Sequence, residues 1–327
     1  MGEFDLIAHY FTRPVRPGGA AVLGVGDDCA LLAPSPGMQL AISSDMLVEG
    51  RHFFADVDPE ALGHKALAVN LSDLAACGAR PLAFTLALSL PRVHEPWLAG
   101  FARGMWQLAD AHGCELVGGD TTQGPLNICI TVFGEVPSGQ ALLRSGARPG
   151  DDLYVSGTLG DARLALEAMQ GHITLPAGVL ARARQRLERP TPRVALGLQL
   201  RGIASSAMDL SDGLVGDVSH ILTASRVGVA INVDLATNLI ASSAHPSSGS
   251  SPFDTELSRH CVLSGGDDYE LAFTAPTAQR SAVAAAAAAS GTAVTRIGTV
   301  LAEPGLRLVD GQGRPVENRY ASFDHFR

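Results

Sequence analysis

Residues 65–79 read Lys-Ala-Leu-Ala-Val-Asn-Leu-Ser-Asp-Leu-Ala-Ala-Cys-Gly-Ala. Nearly every side chain is small and apolar, which predicts a helix packed on both sides and closed by Gly78 as its C-cap. Asn70, Ser72 and Asp73 fall in the middle of it. A carboxylate in such surroundings costs free energy unless its charge is compensated. Either Asp73 finds a local partner or the fold brings a cation to it.

On the N-terminal side of this stretch, residues 3–12 carry apolar side chains at helical spacing, residues 13–20 form a Pro- and Gly-rich loop, and strands are expected over 21–26 and 40–44. On its C-terminal side follow a strand over 82–90, an amphipathic helix over 95–112 stopped by Gly113, a short strand over 115–117 and a β-branched strand over 127–136. The pattern resets at Ser145-Gly-Ala-Arg-Pro-Gly-Asp151. This divides the chain into domains 1–147 and 148–327. The second domain alternates helices (161–170, 177–188, 193–203, 214–226, 277–290) with strands (152–156, 229–233, 262–263, 271–274, 294–300). Residues 242–252 form a Ser-rich polar insertion to which no function is assigned.

The 327 residues are 46% hydrophobic and 17% charged, a globular composition with room for a sizeable core. A formal net charge of -9 disfavours nucleic acid or an anionic membrane as the main partner. It permits anionic small molecules if metal ions bridge the like charges. No apolar run is long enough to span a bilayer, and the acidic N-terminus lacks the basic region of a signal peptide. Five scattered cysteines without a C-x-x-C pair fit a reducing, cytoplasmic setting. Lys65 is the only lysine and has no P-loop context, so any nucleotide chemistry is not of the P-loop kind.

One pattern recurs: an apolar segment runs up to a small residue and then a carboxylate. It occurs at Gly26-Asp27-Asp28, Ser44-Asp45, Ser72-Asp73, Gly118-Gly119-Asp120, Ser211-Asp212-Gly213 and Gly265-Gly266-Asp267-Asp268. Taken singly, each is an ordinary helix N-cap or turn. Six in one chain suggest hard oxygen ligands of the kind Mg²⁺ takes, with waters and substrate phosphates completing the shell. Gly24-Val25-Gly26 is not a dinucleotide fingerprint, because the third glycine is absent and acids follow. His52 is either a phosphate contact or an ordinary surface or core histidine. Arg144 is either a phosphate clamp or a solvated charge.

In this order the motifs resemble the thiamine-monophosphate kinase family, within the aminoimidazole ribonucleotide synthetase-like superfamily. The segments that carry the resemblance are Gly24 to Ala30, Ala41 to Gly50 with His52-Phe53, Lys65 to Ala76, Gly118 to Thr122, Asp209 to Leu214 and Ser264 to Leu271, with Phe323-Asp-His-Phe326 at the end. The resemblance implies an α+β fold of two α/β domains. The N-terminal domain would pair across a homodimer into a barrel-like sheet, and the C-terminal domain would close over the active site. It implies ATP as co-substrate, thiamine monophosphate as acceptor and several Mg²⁺ ions. By position it makes Asp28, Ser43, Ser44, Asp45, Asp73, Asp120, Asp209 and Asp212 metal ligands, with Asp45, Asp120 and Asp212 the most critical. Gly119, Asp120, Arg144 and Ser211 become ATP contacts, and His52, Asp267 and Phe323 substrate contacts. Asp267 stands where the family has Glu, and Tyr320 competes with Phe323 for the aromatic that packs on thiamine. The rival readings are another ATP-dependent enzyme of the superfamily and a non-catalytic nucleotide-binding regulator.

Overall fold

The computed structural model describes residues 2–241 and 255–320. They form two compact units: Met1–Leu74 with Ala79–Ala141, and Ala75–Gly78 with Leu142–Arg327.

The first unit begins with α1 (Glu3–Leu6), which runs directly into a π-helical turn over Ile7–Phe11. A two-stranded ribbon follows, β1 (Ala21–Leu23) with β2 (Leu31–Leu32). The main sheet consists of β3 (Met38–Val48), β4 (Arg80–Leu90), β5 (Glu115–Gln123) and β6 (Asn127–Pro137), in the order β3-β6-β4-β5. The β4–β5 pair is parallel and the other two pairs are antiparallel. Two 18-residue helices, α2 (Pro59–Ala76) and α3 (Glu95–His112), supply the other side of the core.

Period-two alternation decides which sheet face the helices cover. Leu47 of β3, Phe84, Leu86 and Leu88 of β4, and Ile128, Ile130 and Val132 of β6 are buried. Their neighbours Ser44, Met46 and Ala87 are exposed, and Thr85, Cys129 and Thr131 are half-buried. Leu67, Leu71 and Leu74 of α2 and Leu98, Phe101 and Met105 of α3 are buried as well. The helices cross closely because glycines face one another's backbone. A Cβ on Gly104 would lie 1.8 Å from the Glu60 carbonyl oxygen, and one on Gly63 would lie 2.0 Å from that of Phe101.

The second unit carries β7 (Asp152–Ser156), α4 (Asp161–Met169), α5 (Ala177–Glu188), α6 (Val194–Leu200), β8 (Ser206–Leu210), α7 (Leu214–Ser225) and β9 (Gly228–Asn232). It continues with α8 (Val233–Thr237), α9 (Thr255–Ser264), β10 (Glu270–Ala275), α10 (Arg280–Ser290), β11 (Val294–Leu301), β12 (Gly305–Val309) and β13 (Pro315–Val316). Its seven strands run in the order β13-β12-β9-β11-β7-β10-β8, antiparallel except for β12 on β9. Neither main sheet closes on itself among the described residues.

Three local expectations change. Residues 262–263 belong to α9 and not to a strand. Cys261, Val262 and Leu263 are a short apolar triple, and such a run does not distinguish strand from buried helix. Ser206–Leu210 is a strand although Ser, Ala, Met and Asp have weak strand preference; all five residues are buried, and pairing with β10 holds them. The helix expected over 3–12 is α-helical only to Leu6. The insertion 242–252 lies outside the described residues. None of the five cysteines is in a disulfide. No helix among the described residues is long and apolar enough to cross a membrane.

Candidate active site

In the first unit the expected residues form two groups. The first is where α2 meets β3. Ser43 Oγ donates a short hydrogen bond to Asp73 Oδ2. One turn before Asp73, Asn70 Oδ1 accepts the backbone N–H of Asp45 at 3.0 Å, and its Nδ2 donates to the Ala66 carbonyl at 3.1 Å. β3 is an edge strand, so this side chain takes up an N–H that β6 does not. Asp73 is therefore neither stranded nor simply capped: it is joined to the strand that carries Ser43 and Asp45. Ser44 alternates to the opposite face, where its Oγ lies 2.9 Å from Thr131 Oγ1.

The second group lies at the far edge of the same sheet. Asp28, Gly119 and Asp120 line a cavity of about 680 Å³ with Gly26, Asp27, Thr85 and Gly118, and Phe4, Ile7 and Phe11 contribute to the same lining. Gly119 has φ +144, and a Cβ there would lie 1.9 Å from the Leu86 carbonyl oxygen, so only glycine fits. The row Asp45–Ile130–Leu86–Gly119 crosses the whole sheet. Three strand spacings separate its ends, about 14 Å.

His52 follows β3 in a tight turn. Its Nδ1 accepts the Val48 N–H at 3.0 Å, which puts the proton of a neutral imidazole on Nε2. The buried Lys65 donates to the His52 carbonyl at 3.4 Å. The only lysine of the chain thus ties α2 to the turn that presents His52.

In the second unit, Asp209 lies on β8 and Ser211 and Asp212 follow its end. The loop 265–269 lies beside them: Asp267 N–H donates to the Ser211 carbonyl at 2.9 Å and Tyr269 N–H to the Leu210 carbonyl at 2.8 Å. Asp267 itself is left-handed, with φ +67. Asp tolerates this region better than Glu. The residues after it are anchored. The Gly160 N–H reaches both carboxylate oxygens of the buried Asp268 at 3.0 Å. Fully buried Glu270 is held by Arg186 at 2.6 Å, by Arg193 at 2.5 and 2.6 Å and by Ser156 at 2.5 Å. Burial pushes the Asp268 carboxyl well above the carboxylate range, against the pull of the Gly160 N–H. Asp217, in the first turns of α7, accepts the N–H groups of Ser211, Asp212 and Gly213. Burial raises its carboxyl to about 7 despite those hydrogen bonds, with the nearby Asp212 carboxylate adding to the rise.

Arg144 is not at this end of β8. It is exposed beside the strand's start, where Leu143 accepts the Ala207 N–H and Ser225 Oγ donates to the Arg144 carbonyl at 3.2 Å. Four residue rises along the chain, about 13 Å, separate Ala207 from Ser211. Phe323 lies outside the described residues, whereas Tyr320 is half-buried and packs on the core of the second unit.

Among the described residues no three His, Cys, Asp or Glu side chains gather closely enough to hold an ion by themselves. The donors present are nevertheless all hard oxygens. Mg²⁺ commonly takes one or two carboxylates and leaves its other positions to water and phosphate. A pair such as Ser43–Asp73 or Asp28–Asp120 fits that use.

The AIR synthase related protein family matches in two parts, its N-terminal domain over residues 26–136 and its C-terminal domain over 148–311. The thiamine-monophosphate kinase of Salmonella typhimurium is 46% identical over 328 residues, which cover 99% of this chain and 98% of that one. The chain belongs to the thiamine-monophosphate kinase family. The thiamine-monophosphate kinase of Stenotrophomonas maltophilia K279a shares the fold with a TM-score of 0.81 at 43% identity, covering 91% of this chain and 92% of its own. AaThiL complexed with AMPPCP and TMP gives a TM-score of 0.74 at 30% identity, with 90% and 89% covered. For a thiamine-monophosphate kinase, the informative residues to which the motifs assign no role are Asn70, Lys65 and Asp217. Their signals were polar side chains on otherwise apolar helices.

Proposed function

We propose that this chain transfers the γ-phosphoryl group of ATP to thiamine monophosphate, giving thiamine pyrophosphate and ADP. The reading is carried by one observation: a relative named for this activity is 46% identical over essentially the whole of both chains. AaThiL, of the same fold, was solved with AMPPCP and TMP.

In this reading Asp28, Ser43, Ser44, Asp45, Asp73, Asp120, Asp209 and Asp212 hold Mg²⁺. The ions, when bound, neutralise phosphate charge and let two anionic reactants meet on an acidic protein. Gly119, Arg144 and Ser211 contact ATP. The Nε2–H of His52 faces the phosphate of thiamine monophosphate, and Asp267 faces its thiamine. The acceptor phosphate has a second pKa near 6, so it is largely deprotonated at neutral pH and needs no strong base. One of its oxygens attacks the γ-phosphorus in line, the bond to the β,γ-bridging oxygen breaks, and ADP departs with that electron pair. The protein's part is positioning and the exclusion of water.

The functional domains are taken as 1–147 and 148–327, and the setting as the cytoplasm. A second copy covers the open sheet face of the first unit and completes a barrel-like sheet. Leu40, Ile42 and Met46 are 45, 60 and 52% exposed there, an apolar row a monomer leaves wet. The test mixes the purified chain with ATP, Mg²⁺ and thiamine monophosphate and separates the products by chromatography. Thiamine pyrophosphate and ADP in equal amounts are expected. No pyrophosphate at saturating substrates ends the reading.

A further inference from the structure

The turn between β8 and α7 has the form of an anion-binding loop. Three successive backbone N–H groups, those of Ser211, Asp212 and Gly213, converge on one point at 3.0, 3.0 and 3.1 Å. Such a nest at the start of a helix ordinarily takes a phosphate or carboxylate oxygen. Here the point is already filled by Oδ2 of Asp217, a side chain of the same helix that is 3% exposed. The opposite side of the turn is also held. The Ser211 carbonyl accepts the Asp267 N–H. Gly213, at φ +114, lies so close to Ser264 that a Cβ would sit 2.8 Å from its carbonyl carbon.

We infer that Asp217 is a positioning residue for phosphoryl transfer: its carboxyl group occupies the turn's own anion slot, denies those amides to any phosphate, and fixes the side chains of Ser211 and Asp212. The inference rests on the reading that assigns these two side chains to ATP and its metal ion. It explains why an acid-rich turn and not a bare amide cradle stands at this helix start. With the backbone donors committed inward, phosphate is reached from this turn through side chains. A bare acceptor oxygen suffices for the task, so shape matters here and net charge does not.

The test compares wild type with Asp217→Asn, which keeps an acceptor oxygen in place, and Asp217→Ala, which removes it. The dissociation constant of AMPPCP in the presence of Mg²⁺ is measured by calorimetry, alongside KM for thiamine monophosphate and the melting temperature. Asp217→Asn is expected within about threefold of wild type in every binding constant. Asp217→Ala is expected to weaken AMPPCP at least tenfold and to leave KM for thiamine monophosphate within twofold. If Asp217→Ala does not fold, Asp217→Glu answers. It keeps the carboxyl group but moves it outward by one methylene, and it too is expected to weaken AMPPCP tenfold. Unchanged AMPPCP affinity in the folded Ala or Glu variant overturns the inference and leaves the kinase reading standing, as does an equal fall of both substrate affinities. A wild type that binds no AMPPCP with Mg²⁺ removes both.

Discussion

Asn70 makes the sharpest test of how the fold serves the site. It is 1% exposed, and its two polar atoms join α2 to itself and to β3. Asn70→Ala removes the acceptor of the Asp45 N–H, at a cost of about 1–3 kcal/mol for a buried donor left unsatisfied. The better helix propensity of Ala returns roughly 0.5 kcal/mol. The net loss is about 1–2 kcal/mol. With roughly 2–4 °C per kcal/mol for a unit of this size, the melting temperature falls by about 2–8 °C. The protein stays folded at 25 °C. Turnover responds more steeply, because β3 carries Ser43 and Asp45 and a shift of about 1 Å in a positioned group costs on the order of 10²-fold. Calorimetric melting and steady-state kinetics at saturating Mg²⁺ on the same preparations separate the two effects. Asp45→Asn supplies the comparison: it leaves the backbone tie to Asn70 intact, so its turnover falls far more than its stability. If Asn70→Ala melts several degrees lower yet keeps kcat within about threefold, the tie is structural only and the reasoning about β3 is wrong.

Asp267→Glu restores the family's side chain but places it at φ +67, where Glu is less at ease than Asp. The melting temperature is expected to fall by a few degrees while KM for thiamine monophosphate changes and KM for ATP does not. Equal changes in both constants would remove Asp267 from the substrate side. The Asp152 carboxyl is held below the carboxylate range, chiefly by the Arg280 guanidinium at 2.6 and 2.9 Å and further by Arg296, against the effect of burial. A carboxyl with a depressed folded pKa contributes stability above its unfolded value of about 4 and loses it as pH falls through the folded value. The gap in melting temperature between wild type and Asp152→Asn is therefore full at pH 7 and closes below about pH 4. A gap independent of pH would show that the ion pairs contribute nothing.

Much of the fold was legible in one dimension. The α3 helix matches its expected bounds because an apolar stripe at helical spacing ends in a glycine. Gly113 takes φ +63 and satisfies the last carbonyls, as a C-cap does. The strand Ser206–Leu210 was not legible, because its residues have no strand preference and only burial on both faces makes it one. The acid motifs stood out because Gly or Ser before Asp recurs six times. Their division was invisible: nothing in the spelling of Ser44-Asp45 and Gly118-Gly119-Asp120 says that one sheet holds them at opposite edges.

Asp73 shows where the boundary falls. Composition and periodicity determined that this stretch runs as a buried helix, which ends at Ala76, with a misplaced carboxylate, since apolar spacing is a local property of the chain. That Ser43 hydrogen-bonds it, that Asn70 one turn earlier holds Asp45, and that Lys65 reaches the His52 turn was decided only by tertiary structure. These partners are 13 to 30 residues away, and side chains so far apart in sequence meet only where helix and sheet pack.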